Sequence, residues 1–589
     1  MTWDKGRWIV IAIGIAYIAC HLIPLWSIYV VPSDDYASVS ATFALLEQPE
    51  QFHSDGIVSL VYRRLLNRAW LYGYLGGLLT TIFEPMFVPR ILGFLFATGT
   101  FFLAGFYWSG PEDGLRAVVV TITFLHLSVN VNPIVGNKRS FVIVALLALL
   151  HPLFSRNRYF RLLIVALASG IYPPVALIIL TVMGIKTLHM YWLDFGQEEL
   201  FGEIREVMIA VVVFVVTISP FLVSLLSSSE GGITFQWVNP LYEPWSLFWG
   251  SYRNLIAGGR SALFRFPSSL SVFALFSVLS LTSYVVSRND FMIKRSYVYL
   301  GLAGLLLWGS AHLLHPLLYH PVKYTRATLP LLAVLVFVDH NKSLAQNVRK
   351  TYKSSFVWEL IFSLLFVVAL VHYGYSLYND SFVWINQYMY EWLFWPGVFA
   401  GMGCFIVGLG ILGNKSEFGR AIAIVLFLLF SFYPHGITQF KVFRSQQFYP
   451  SAMKLHFKTI RGLPTNTVVA GPPALMDWVP GYGKRDVYFN RQLKRVSIAC
   501  DRIKQFRTVY FSPDPRKVIA YMNSTPVTHI LVDRKSFHGK PFTVCKNEFK
   551  WIGQGQSKPF LDRTFESYRT RSKKRFYLLN VDNIKRELE

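Results

Sequence analysis

The sequence predicts an α-helical multi-pass membrane protein of about 13 transmembrane helices, at about 20 residues per crossing, followed by a small C-terminal α/β soluble domain. Three observations lead there. Of 589 residues, 53% are hydrophobic and only 15% charged, with a mean hydropathy of +0.40, against about 25% charged in an ordinary soluble domain. Apolar runs long enough to cross a bilayer recur along the first three quarters of the chain. The charge is lopsided, because residues 441–589 hold 29 Lys plus Arg against 11 Asp plus Glu, which is +18 of the chain's +24. Together these exclude a single soluble globule, and they exclude disorder, since so much apolar surface does not stay solvated.

The first run, Trp8 to Val31, follows Lys5 and Arg7, which hold the N-terminus in the cytoplasm. It is too long for a signal-peptide core and has no small-residue cleavage site before Pro32, so it stays as an anchor. A first outer loop follows, over about 32–90. Within it Trp70 to Val88 is interrupted by Glu84-Pro85, and the stretch either lies along the outer surface or crosses. Further runs fall at about 91–109, 115–131, 140–154, 160–187, 206–228, 266–287, 297–316, 325–339, 355–377, 393–412 and 420–435. The run ending near 187 contains Tyr172-Pro173-Pro174. Two prolines oppose one straight helix, so the run splits into two segments meeting at that turn.

An odd number of crossings places the C-terminal domain outside, opposite the N-terminus. The basic stretches at Ser155 to Arg161, Lys294-Arg295, Lys342 to Lys353 and Lys415 to Arg420 then fall in the cytoplasm, as the positive-inside rule requires. Lys138-Arg139 is an exception on the outer side. A second large outer loop, about 229–267, is rich in Trp237, Tyr242, Trp245, Trp249 and Tyr252; such rings form an interfacial belt or stack on sugars. Residues 1–436 are thus the membrane module, and 437–589 a basic α/β extracytoplasmic domain.

In that tail Thr467 to Ala470, Asp486 to Phe489 and Thr528 to Val532 read as β-strands, with Asp514 to Met522 as an intervening helix, a pattern of alternating strands and helices. Gly471 is followed by two prolines, not by the glycine spacing of a phosphate-binding loop. A basic tail suits a phosphate-bearing partner; beside a membrane module that partner is lipid and not nucleic acid. The four cysteines form no metal-ligand spacing. Cys20 and Cys404 lie in apolar runs, whereas Cys500 and Cys545 both lie in the tail and pair if it faces an oxidising compartment.

The candidate chemistry begins just past the first crossing, at Pro32-Ser33-Asp34-Asp35-Tyr36. Two adjacent carboxylates repel, so the pair needs a proton, a cation or a donor. Asp34 also suits the cap of a helix starting near Tyr36. His53 and Asp55 share this loop without a distinguishing spacing.

An acid pair at this position, in a long outer loop after the first transmembrane helix, resembles the GT-C superfamily of membrane glycosyltransferases. These take sugar from a lipid-phosphate carrier. The segment His320-Pro321-Val322-Lys323-Tyr324-Thr325-Arg326 is similar to a Pro-x-Arg-Tyr-Thr element of bacterial members, with Lys323 where Arg is expected. That exchange keeps the charge and loses the bidentate fork. The Tyr172-Pro-Pro turn and the soluble tail also resemble those chains. Oligosaccharyltransferases in the superfamily carry a second acidic motif that helps hold a divalent metal. The corresponding stretch here, Asn130 to Ser140, has no carboxylate, so no metal ligand set is predicted and a divalent-metal cofactor is doubtful.

The resemblance implies hexosyl or pentosyl transfer with inversion, from a polyprenyl-phosphate sugar to a glycan, lipid or protein acceptor on the extracytoplasmic side. Asp34 or Asp35 serves as base toward the acceptor hydroxyl. Lys323 and Arg326 stabilise the leaving phosphate, with Tyr324 and His320 beside them and Lys138 and Arg139 as second candidates. The alternative for these cations is interfacial anchoring in lipid head groups. Two other functions compete: a transporter or lipid flippase, which places ionisable groups at mid-membrane, and a non-catalytic membrane scaffold.

Overall fold

The structure is a computed structural model. It describes residues 35–52, 69–107, 138–151, 156–193, 196–226, 293–313, 321–351, 453–490, 497–538, 542–544, 549–551, 559–564 and 576–588, with isolated positions between them. The expected crossings at 8–31, 115–131, 355–377, 393–412 and 420–435 lie outside the described residues, as do Asp34, His53, Asp55 and His320.

The N-terminal part is helical: α1 (Asp35–Glu47), α2 (Trp70–Thr80), α3 (Val88–Tyr107), α4 (Phe141–Leu150), α5 (Arg158–Ile171), α6 (Pro173–Trp192), α7 (Gln197–Leu226), α8 (Arg295–Leu313) and α9 (Val322–Thr351). One apolar core joins α2 through α9. Among the described residues α6 is the helix both long and apolar enough to cross a membrane.

The break between α5 and α6 falls at Tyr172, whose φ of −150° and ψ of 85° are not helical. The residue before a proline is pushed out of the helical region. Pro173 and Pro174 then open α6, where their missing N–H groups lack intrahelical partners anyway. At its other end α5 is capped by Asn157, whose side chain accepts from Tyr159 N at 2.9 Å.

The stretch Trp70 to Val88 resolves into an 11-residue helix and a turn. At about 1.5 Å per residue that helix reaches about 16 Å, short of the about 30 Å of a bilayer core. Glu84-Pro85 ends any continuation. Two helices outrun their apolar segments. α7 starts at Gln197, not near 206, with Glu198 and Glu199 in its first turn, where carboxylates suit the helix dipole. α9 continues to Thr351 through Pro330.

Ion pairs and packing define the two ends of this bundle. At one end Arg161 on α5 binds Glu206 on α7 through both carboxylate oxygens, and Lys186 on α6 reaches Glu203 at 2.6 Å. The His189 ring, near the end of α6, lies 5.7 Å from that of Tyr299, near the start of α8, in a tilted arrangement. α8 and α9 run antiparallel from there: Lys294 Nζ lies 2.9 Å from Asp339 Oδ2, and Gly304 lies against Thr328. The opposite end therefore gathers the Tyr172 turn and the start of α9. α2 joins that end, because Gly170 packs on Leu71 and Trp70 Nε1 donates to Thr217 O at 2.5 Å.

The tail opens with α10 (Lys454–Arg461) and builds a four-stranded sheet in the order β2-β1-β3-β6. β1 (Val468–Ala470) pairs in parallel with β2 (Asp486–Val487) and β3 (His529–Asp533), and β6 (Phe576–Asn580) closes the edge antiparallel to β3. β4 (Phe542–Val544) and β5 (Phe549–Trp551) form a separate hairpin. β1, β2 and β3 fall on the three β-like runs of the sequence. Two helices, α11 (Ser497–Tyr510) and α12 (Pro515–Ser524), carry the chain from β2 past β1 to β3, the kind of crossover that strands running in parallel require. Asp514 caps α12, accepting from Arg516 N at 2.9 Å, and α13 (Val581–Leu588) ends the described chain. Cys500, on α11, is buried and disulfide-bonded; Cys545 lies outside the described residues.

The tail does not pack on itself alone. Its apolar core includes Ala41, Ala44, Leu45, Phe52, Val58 and Met86 from the N-terminal part of the chain, alongside Val479, Tyr482, Val487 and Ile530 of the sheet region.

Candidate active site

α1 places the first of the predicted site residues, and its sequence explains its position. Ala41, Ala44 and Leu45 fall on one stripe at helical spacing and join the tail core, where α1 packs on the π-helical turn Val479–Gly483. Phe43 projects from another side of the helix and joins the bundle core instead. Its ring stands 5.6 Å from that of Tyr72. Gly76 lies directly beneath it, so close that a Cβ there would sit 1.8 Å from Phe43 Cε1. From Ala41 to Leu45 the helix is thus packed on two sides. Asp35 is the first residue of α1.

α9 supplies the second group. Lys323 is half-buried, Arg326 is 7% exposed, and Tyr324 is wholly buried among apolar neighbours. Thr325 Oγ1 donates to Leu263 O at 2.6 Å, which ties this turn to the chain at Leu263. Lys138 and Arg139 form a 3-10 turn ahead of α4, both half-buried. α4 and α3 run side by side, Phe96 against Phe141 at 5.6 Å and Gly99 against Val144. That puts the Lys138-Arg139 turn at the same end as the start of α3, next to Met86 and the tail.

The helix headed by Asp35, the Lys138-Arg139 turn, Tyr172 and the Lys323 to Arg326 turn therefore share one end of the bundle. The contacts that define this end run through α2, α3, α6 and α9 and not through the predicted residues themselves. The Tyr172 hydroxyl is buried there with no hydrogen-bond partner among the described residues, and buried hydroxyls are ordinarily satisfied by protein, water or a ligand.

One cation at this end escaped the sequence reading. Arg90, in the first turn of α3, is 3% exposed and lies 5.8 Å from the Phe87 ring centroid, within cation–π range. Its signal was available: a single arginine at the head of an otherwise apolar run is a functional candidate by cost alone.

The tail's basic charge also has a partial account. Arg461 pairs with Glu84 at 3.3 Å, and Lys484 with Glu47 at 2.8 Å. Arg485, held below its ordinary ionisation range by burial with Arg461 beside it, donates to Gln51 at 2.7 Å. These three cations face Glu84, Glu47 and Gln51 of the N-terminal part of the chain. Among the described residues no group of three His, Cys, Asp or Glu side chains gathers as a metal site.

No protein-family profile and no curated protein matches the sequence. Solved structures do. One is ArnT from Cupriavidus metallidurans bound to undecaprenyl phosphate, at 14% identity and a TM-score of 0.48 over 93% of this chain and 97% of that one. Another is the oligosaccharyltransferase AglB from Archaeoglobus fulgidus, in complex with an inhibitory peptide and a dolichol-phosphate, at 11% identity and a TM-score of 0.43 over 91% of this chain and 70% of that one. The apo form of the Archaeoglobus fulgidus enzyme matches at 11% identity and a TM-score of 0.42. The chain is similar, over most of its length, to solved proteins of which one is an oligosaccharyltransferase and the other holds a polyprenyl phosphate.

Proposed function

We propose that the protein is a membrane glycosyltransferase that moves a hexose or pentose, with inversion, from a polyprenyl-phosphate carrier to a glycan, lipid or protein acceptor on the extracytoplasmic side. Residues 1–436 are the membrane module in this reading, and 437–589 the extracytoplasmic domain. Asp34 or Asp35 takes the proton from the acceptor hydroxyl as it attacks. Lys323 and Arg326 stabilise the charge that gathers on the departing phosphate, with His320, Lys138 and Arg139 near the carrier. Tyr324 supports this turn by packing, since it is wholly buried.

The observation that supports the reading is the common end of the bundle: the helix that begins with Asp35, packed on α2, and the turn bearing Lys323 and Arg326 at the start of α9, separated by some three hundred residues of chain, lie toward the same end. A base and a phosphate-stabilising cation serve one transfer only on the same side of the membrane. The disulfide at Cys500 supports the outer side, because disulfides persist in oxidising compartments. Lipid phosphates are also what the two solved proteins similar to this chain hold.

The test is transfer by the full chain in lipid nanodiscs, with sugar-loaded undecaprenyl phosphate and membrane-extracted acceptor. Asp34→Asn and Asp35→Asn together should reduce transfer at least a hundredfold, the lower end of what a general base contributes, about 100 to 10000-fold, with thermal unfolding unchanged. Full transfer by a folded double variant would contradict the assignment.

A further inference from the structure

Three consecutive residues of the tail hold three successive points of the first outer loop. Lys484 is 6% exposed, and its Nζ lies 3.0 and 2.8 Å from the two carboxylate oxygens of Glu47, the last residue of α1. Arg485 donates from Nη1 to Gln51 Oε1 at 2.7 Å, and its other N–H groups go to the carbonyls of Arg461, Leu463 and Pro464. Asp486 is wholly buried and accepts at Oδ1 from Val58 N at 3.0 Å. Gly56 packs so tightly on that carboxylate that a Cβ would stand 1.9 Å from Asp486 Cγ.

Lys484 makes its contact from a left-handed backbone, φ 50° and ψ 39°, alone among the described non-glycine residues. Such a conformation persists only where its surroundings over-determine it. Buried charges gain little stability over apolar packing, yet removing one partner strands the other. A run of three buried ionic residues aimed at one loop therefore specifies where that loop sits. The opposite side of α1 is fixed by Phe43 on Tyr72 and Gly76.

We propose that Lys484, Arg485 and Asp486 are positioning residues: they set α1, and with it Asp35 and the adjacent Asp34, against the bundle, so that the tail is part of the reacting site's framework and not an appended module. The proposal rests on the reading of those two acids as the reacting pair.

The experiment is hydrogen exchange on the full chain in nanodiscs, combined with transfer kinetics, for Lys484→Met, Gly56→Ala and the charge-reversed pair Glu47→Lys with Lys484→Glu. Lys484→Met and Gly56→Ala should speed exchange across Asp35–Glu47 at least tenfold while β1 and β3 keep their protection. They should lower kcat with KM for sugar-loaded undecaprenyl phosphate unchanged, and the reversed pair should recover both readouts in part. Unchanged exchange in α1 would overturn the proposal. So would equal loss of protection in α1 and the sheet without recovery by the reversed pair, which is the mark of mere structural damage. If the Asp34 and Asp35 variants retain transfer while α1 still loosens on Lys484→Met, the proposed function fails and the attachment of the loop stands.

Discussion

Phe43 and Gly76 are in van der Waals contact across α1 and α2, ring against bare backbone, and no side chain larger than hydrogen fits at the second position. This contact holds the helix headed by Asp35 against the bundle, as Lys484 holds it against the tail. Phe43→Ala removes a fully buried ring and should cost about 3 to 5 kcal/mol. Gly76→Ala should cost about 1 to 3 kcal/mol by overpacking. Thermal unfolding of both variants, with Gly77→Ala as a control where a Cβ meets only ordinary contacts, checks this.

Arg326 should distinguish charge from geometry. Arg326→Lys keeps the cation and gives up the planar fork, whereas Arg326→Gln gives up both. A hydrogen bond to a charged group contributes about 1.5 to 3 kcal/mol, so Arg326→Gln should weaken binding of undecaprenyl phosphate by tenfold or more, with Arg326→Lys between it and the parent. Titration of that lipid into nanodisc-held protein measures the order.

The tail should lose stability on mild acidification. His529, on β3, is 8% exposed, and burial lowers its pKa from 6.5, with Asp582 opposing. The unfolded chain therefore binds a proton first as pH falls. His529 contributes no penalty above about 6.5 and a growing one below it, until the folded form also takes up the proton. His529→Gln should flatten the slope of unfolding free energy in that window. An equal slope in parent and variant would assign the acid sensitivity to other groups.

Much of the fold was legible because its signals are local. Apolar run length marked α3, α4, α6 and α8, the two prolines after Tyr172 broke α5 from α6, and Asp514 marked the start of α12. The sheet's parallel strands read as short β-branched runs, whereas β6 follows the basic stretch Arg569 to Arg575 and is recruited by pairing with β3. What escaped was long-range. Nothing near Glu47 announces Lys484, and the tail's own sequence does not show that its core is completed by Ala41, Leu45 and Met86. Arg90 belongs to no motif, and its burial at the head of α3 depends on packing that its neighbours in sequence do not reveal.

The central claim is that the acids heading α1 and the cations opening α9 lie on one side of the membrane. Spin labels at Asp35 and Lys323 in the full chain, reconstituted in nanodiscs, report that separation whether or not the labelled protein is active. The account predicts a distance well below the about 30 Å hydrocarbon thickness of a bilayer. A distance equal to that thickness or longer would contradict it.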